Sequence, residues 1–336
     1  MILKLNSRLF YHLVAFIVVA IWGSTFVFTK LLLLGGLTPA QIFTLRFIIA
    51  YLLLLGYSFI SPPKFLDKPS GIAERGGDKG GLRSSSARLL PEGRKNKHSF
   101  RLFSDNWRDE LLMVALGVTG GSLYFLAENS SMNYTTTTNT SLIVSLSPLV
   151  ATFLISIFYQ SQRLNCIQSI GTLMAALGVV IVVLNGHFVL HLSPLGDSLA
   201  FCAALCWGFY SLLMIRANQR YDTLFITRKV FFYGLLSMIP YFIVYPGLNI
   251  SVVLHQPSLL WNLLFLACVA SMLCYIAWNW VLKKLGAVVA TNWVYFNPVT
   301  TIIFAWAILS EQITVYFITG TILILFGMYL ADKKKQ

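Results

Sequence analysis

The sequence predicts an all-α membrane protein, ten transmembrane helices arranged as two inverted five-helix repeats. Three observations carry that expectation: the composition, the distribution of positive charge among the connections, and short motifs that recur at steady offsets. Of the 336 residues 57% are apolar and 11% charged, with a mean hydropathy of +0.73. A soluble domain carries about a quarter of its residues as charges, so that class is excluded.

Long apolar runs bounded by charged residues or by Gly, Pro and Asn predict helices near 11–34, 40–60, 109–129, 136–159 and 166–184. A second set is predicted near 197–215, 225–247, 259–281, 286–309 and 313–331. Lipid offers no partner to an open backbone, and a β-barrel would show alternation rather than continuous apolar runs. The first run follows Lys4 and Arg8 like a signal peptide, but at about 24 residues with no polar cleavage region after it, it reads as a retained helix.

Lys and Arg occupy alternate connections. They lie at the amino terminus, in 61–108, at Arg163, in 216–229, at Lys283 and Lys284, and in the tail Lys333 to Lys335. The intervening connections hold none, and only Lys30 and Arg46 fall within predicted helices. Positive residues stay on the cytoplasmic side, so an even number of helices with both termini cytoplasmic is expected. The formal charge of +13 therefore reports topology, and nucleic acid is not an expected partner.

Trp22-Gly23 recurs as Trp207-Gly208, 185 residues on; Ser147-Pro148 recurs as Asn297-Pro298 at 150; Gly171 and Gly178 recur as Gly320 and Gly327 at 149. An insertion in the first half alone explains the drop in offset, and 61–108, rich in Gly, Ser, Arg and Lys, is such an insertion. The expected division is a first repeat of 1–60 and 109–190, a basic flexible cytoplasmic loop at 61–108, and a second repeat at 191–336. Five is odd, so the second half enters the membrane from the opposite side, as in many secondary transporters. The loop either contacts anionic headgroups or is a solvated insertion.

Pro148 and Pro298 lie near the middles of their helices. Each removes a hydrogen bond and frees the carbonyl of Val144 or Val294, which is tolerated where the break lines a cavity or where a kink serves packing. With them as hinges, the polar neighbours Asn139, Ser147, Asn292 and Asn297 are candidate cavity residues. Trp22, Ser24, Tyr124, Trp207, Tyr210 and Tyr275 are candidates too, because aromatic walls with a few polar groups hold small ligands. Arg46 sits about 9 Å inside its helix at 1.5 Å per residue. It suits a substrate carboxylate, a gate, or structural bonding to helix-end carbonyls, whereas Lys30 is placed to snorkel. The acidic residues are expected in loops, tails or helix ends, with no buried carboxylate. No catalytic residue, cofactor or metal is expected: the five cysteines lie in apolar runs, and His187 and His191, though four apart, occupy an outer loop without further ligands.

The order of these motifs resembles the EamA-type proteins of the drug/metabolite transporter superfamily, across nearly the whole chain outside 61–108. The resemblance rests on Trp22-Gly23-Ser24-Thr25-Phe26, Pro39 followed by Arg46, Ser147-Pro148, Asn297-Pro298, and Glu311 before Gly320 and Gly327. It implies a bacterial inner-membrane carrier of small metabolites such as amino acids, with a central cavity between the halves. Together the readings lead to a monomeric secondary transporter in contact with membrane lipids, working by alternating access. The rivals are a scaffold or receptor-like protein that recruits a partner through its basic loop, and a membrane enzyme, against which stands the lack of a nucleophile paired with a base.

Overall fold

The computed structural model describes residues 7–60, 102–135, 137–159, 164–184, 193–309 and 315–331, and every regular element among them is a helix. Most of the basic loop, Arg163, His187, His191 and Glu311 lie outside the described residues, as does the side chain of Asn139. The chain opens with α1 (Ser7–Leu34) and α2 (Pro39–Ile60). They are joined through Gly36 at φ +93° and a reciprocal cap in which Thr38 N–H donates to Gln41 Oε1 and Gln41 N–H to Thr38 Oγ1.

Next come α3 (Trp107–Tyr134), α4 (Thr137–Val144), α5 (Ser147–Phe158) and α6 (Cys166–Leu184). After them run α7 (Pro194–Arg220), α8 (Thr223–Leu236), α9 (Ile239–Val244), the short α10 (Ile250–His255) and α11 (Pro257–Leu285). The chain ends with α12 (Ala287–Asn292), α13 (Asn297–Leu309) and α14 (Val315–Ala331). Among the described residues six stretches are long and apolar enough to cross a membrane: Arg8–Leu34, Pro39–Ser58, α3, α7, α11 and Ala287–Phe304. The outward faces of these and the shorter helices carry large apolar side chains such as Leu52, Phe153, Leu173, Leu177 and Ile322, each more than half exposed. Such a surface suits lipid rather than water.

Several boundaries differ from the sequence reading. Helix α3 runs to Tyr134 rather than 129, because its polar last turns Glu128–Tyr134 continue the helix inside the protein. Helix α7 extends to Arg220, beyond the apolar run that suggested 215. The predicted helices at 136–159 and 286–309 are broken rather than kinked. In the first, α4 stops at Val144 and α5 restarts with Pro148 second, where a missing N–H leaves no helical bond unmade. The Leu146 carbonyl, a residue of the break itself, accepts from Leu149 N–H at 2.9 Å. In the second, the 3₁₀ turn Trp293–Phe296 separates α12 from α13, whose second residue is Pro298. The breaks therefore precede the prolines by a few residues. Pro240 stands second in α9 in the same way.

Corresponding residues make corresponding contacts. The restarts at Ser147 and Asn297 are 150 apart, and π-helical turns interrupt α3 at Val118–Ser122 and α11 at Phe265–Leu273. Gly23 packs on Thr300 and the Asn297 carbonyl, whereas Gly208 packs on Val150 and Ala151. Thr300 and Val150 are again 150 apart. Helices α6 and α14 meet along glycine: a Cβ on Gly171 would reach the Gly327 carbonyl at 2.6 Å, and one on Gly178 the Gly320 carbonyl at 2.8 Å. Small residues are what allow such backbone approach between helices in lipid.

Candidate functional site

Arg46 is 2% exposed, held inside the bundle by Phe43 and Phe47 on its own helix, both fully buried. Its Nε donates to Ser271 Oγ, and its guanidinium carbon lies 4.6 Å from the Phe125 ring centroid. The neighbouring α3 brings Glu128, 7% exposed, whose Oε1 accepts from the Tyr124 hydroxyl at 2.8 Å. This overturns the expectation of no buried carboxylate. The sequence placed Glu128 at a helix end because the apolar run stops there, whereas the helix continues for six residues to Tyr134. No direct ion pair joins Arg46 to Glu128 among the described residues, though each charge acts on the other electrostatically.

Around this pair five helices contribute aromatic walls. Trp207 of α7 meets Trp22 of α1 edge-on with centroids 5.4 Å apart, and lies 5.1 Å from Tyr124. Tyr275 of α11 packs 5.9 Å from Trp22, and its hydroxyl donates to the Gly120 carbonyl in the π turn of α3. The Trp22 Nε1–H donates to the Ala270 carbonyl at 3.0 Å in the π turn of α11. Each π turn thus offers a carbonyl to the central cluster, in line with the tendency of such bulges to mark functional positions. Tyr210 donates to Asn279 Oδ1 at 2.5 Å, and Asn279 Nδ2 donates on to Thr227 Oγ1 at 2.9 Å. Trp278, wholly buried, is 5.1 Å from Trp22.

The expected residues thus divide. Trp22, Arg46, Tyr124, Trp207, Tyr210 and Tyr275 converge in one buried cluster. Ser24 is buried beside Trp22's turn but donates to the Ile21 carbonyl at 2.6 Å, so its hydroxyl serves its own helix. Ser147, Asn292 and Asn297 gather instead at the breaks between α4 and α5 and between α12 and α13. There they join Ser141, Ser145 and Tyr295, each with a buried side-chain polar atom that has no hydrogen-bond partner among the described residues. Asn292 and Trp293 also line a recess of about 210 Å³ with His12, Met328 and Tyr329, in which Trp293 Nε1 donates to His12 Nδ1 at 3.1 Å. Lys30 Nζ donates to the Met132 carbonyl near the end of α3 at 2.8 Å.

Sequence reasoning also missed Ser271, which sits in a predicted apolar run with no local signal beyond its own polarity. It further missed an ionic cluster at the start of α3. Both oxygens of the buried Asp109 lie 2.9 Å from Arg220 Nη1, and Tyr221 donates to Oδ2 at 2.9 Å. Beside it Glu110 Oε1 accepts from Lys229 Nζ and Tyr233 Oη, while Oε2 accepts from Ser104 N–H at 2.7 Å. The cluster ties the first turn of α3 to the end of α7 and to α8.

Comparison with known proteins assigns the chain. The model of the EamA-like transporter family matches residues 89–184 and 194–331. The chain belongs to the EamA-like transporter family. Over 334 residues it is 25% identical to a protein of Archaeoglobus fulgidus named an uncharacterized transporter, covering 99% of this chain and all of that one. It is 23% identical over 228 residues to a probable amino-acid metabolite efflux pump of Escherichia coli, covering 65% of this chain and 75% of the relative. A solved crystal structure shares its fold at a TM-score of 0.66 and 16% identity, over 97% of this chain and 96% of that one. As an EamA-like protein the chain is a multi-pass membrane transporter of small molecules, not an enzyme.

Proposed function

We propose that this transporter is a secondary carrier moving small metabolites, amino acids and related compounds foremost, by alternating access. Two inverted five-helix halves, 1–60 with 109–190 and 191–336, thread the plasma membrane with both termini cytoplasmic, and 61–108 is a cytoplasmic loop. The carrying observation is the buried cluster of Trp22, Arg46, Glu128, Tyr124, Trp207 and Tyr275, to which α1, α2, α3, α7 and α11 all contribute around the unpaired charges. Matched breaks at Ser147 and Asn297, matched π turns, and the one-sided distribution of Lys and Arg support the inverted arrangement. Substrate binds among the aromatic walls, with Trp22, Ser24 and Tyr210 beside it. The polar residues Asn139, Ser147, Asn292 and Asn297 line the passage, and Pro148 and Pro298 are the hinges. The name of the Escherichia coli relative favours the amino-acid class. The carrier works as a monomer.

The test is reconstitution in liposomes with a panel of labelled amino acids and related metabolites. Saturable, substrate-selective flux is expected; vesicles no leakier than protein-free controls across the whole panel would refute the proposal.

A further inference from the structure

Arg46 and Glu128 are opposite charges buried in one core, and neither satisfies the other. Arg46 uses only Nε, toward Ser271, and its two Nη groups make no hydrogen bond among the described residues. Glu128 uses only Oε1, toward Tyr124, and its Oε2 makes none. Burying an ion away from water is tolerated only when its remaining hydrogen-bonding capacity is met. A protein that needed these charges for packing alone would bring them into direct contact, which Arg46 and Glu128 lack.

The walls between them are aromatic. Phe125 lies under the guanidinium, Trp207 lies beside Tyr124, and the Phe47 and Tyr275 ring centroids are 6.0 Å apart. A monovalent cation entering here would meet Arg46, and a monovalent anion would meet Glu128. A neutral solute would leave both charges unmet. A molecule carrying both poles meets each, with a planar carboxylate suited to the two Nη groups and an ammonium suited to Oε2.

We propose that Arg46 and Glu128 are the two poles of a zwitterion-binding site: Arg46 takes the carboxylate, Glu128 takes the ammonium, and the aromatic walls take the apolar remainder. This rests on the carrier reading and deepens it, assigning a role to Glu128 and making both charges, rather than Arg46 alone, the basis of selectivity.

The experiment is thermal melting of the purified full chain in detergent, titrated with L-alanine, L-leucine and L-phenylalanine. Each is compared with its decarboxylated amine and with its deaminated acid. Stabilisation by at least one zwitterion is expected, with both truncated analogues weaker by about 10- to 100-fold, the loss of one charge-assisted contact. Glu128→Gln should erase the preference for the zwitterion over its deaminated acid. Arg46→Gln should erase the preference over the amine, and the conservative Arg46→Lys and Glu128→Asp should restore part of each. No shift with any of the three zwitterions, or equal affinity for a zwitterion and both its analogues, overturns the proposal, as does a Glu128→Gln protein that melts normally and keeps its selectivity. Saturable flux of a singly charged or neutral solute in liposomes, without zwitterion binding, overturns this proposal while leaving the carrier standing; absence of all flux removes both.

Discussion

Asp109 is the most heavily bonded carboxylate of the ionic cluster, and replacing it with Asn tests whether that cluster is a latch. One Nη of Arg220 and the hydroxyl of Tyr221 all lie 2.9 Å from its oxygens, and Arg216 approaches Oδ1 to 3.9 Å. Asn keeps the shape but has one acceptor oxygen and no charge: with that oxygen at the Oδ2 position it can still accept from Arg220 and Tyr221, but its amide N–H₂ then faces the Arg220 guanidinium and the ion pair is lost. Charge-assisted bonds are about twice as strong as neutral ones, which by itself suggests a loss of about 2–3 kcal/mol. The Arg220 side chain is 47% exposed, so water replaces part of what is lost, and about 1.5 kcal/mol is the better figure. That is about a tenfold change in an opening equilibrium. Two backbone amides report the opening directly, because Ser104 N–H donates to Glu110 and Asp105 N–H to the Tyr221 hydroxyl. Hydrogen exchange followed by mass spectrometry should show the peptide spanning 102–110 exchanging about tenfold faster in Asp109→Asn. Peptides from α6 and α14 should be unchanged. Unchanged exchange at 102–110 in a folded variant would refute the latch.

Four further outcomes are expected. Gly171→Val drives a side chain into the Gly327 carbonyl and the Ala331 amide; backbone cannot yield as a side chain can, so the melting temperature should fall by the equivalent of about 3 kcal/mol or more. Gly23→Ala overlaps the Thr300 side chain, and Thr300→Gly should recover part of the lost stability, a coupling that melting of the two single variants and the double variant would measure. Tyr210→Phe strands the buried Asn279 Oδ1 and should destabilise by about 1–3 kcal/mol in a denaturation titration. Pro148→Ala with Pro298→Ala should slow liposome flux more than it lowers melting temperature, since the prolines hold breaks that a continuous helix would close; unchanged flux would mean that they only pack.

The helices were legible because lipid allows few alternatives, and an apolar run of sufficient length reads as a span. What misled was the same rule applied at the ends. Glu128, Asn129, Ser131 and Asn133 look like the residues of a connection, yet Glu128, Asn129 and Ser131 are buried, because neighbouring helices rather than lipid surround that turn. Hydropathy measures preference for lipid, and a polar residue facing a protein interior is invisible to it. The prolines marked the breaks to within a few residues, but the sequence could not show that the chain would stop and restart rather than bend. Trp22 and Trp207 were legible as a repeated pair; that their rings meet is a tertiary fact. The ionic cluster went unread for a related reason: Asp109 and Glu110 lie more than a hundred residues before Arg220 and Lys229, and no local pattern joins them.

The unpartnered polar atoms bear on how such a protein moves. Ser141, Ser145, Ser147, Asn292, Tyr295 and Asn297 all lie at or within a turn of the two helix breaks, each with a buried atom lacking a partner among the described residues. In a protein with a single packed state, apolar residues of similar shape would be as stable or more so. A chain that must expose the same surface to water in another state gains from keeping it polar, because hydration then offsets the loss of packing as the helices part. The aromatic cluster carries the opposite requirement, since rings exclude water whichever state is occupied. Polar seams at the breaks and an aromatic centre around two unmet charges together suit a barrier that shifts from one side of a ligand to the other. On this reading, replacing Ser145 and Ser147 together by Ala should raise the melting temperature while reducing flux in liposomes. If stability and flux instead fell in parallel, those hydroxyls would be holding the closed state together rather than easing its opening.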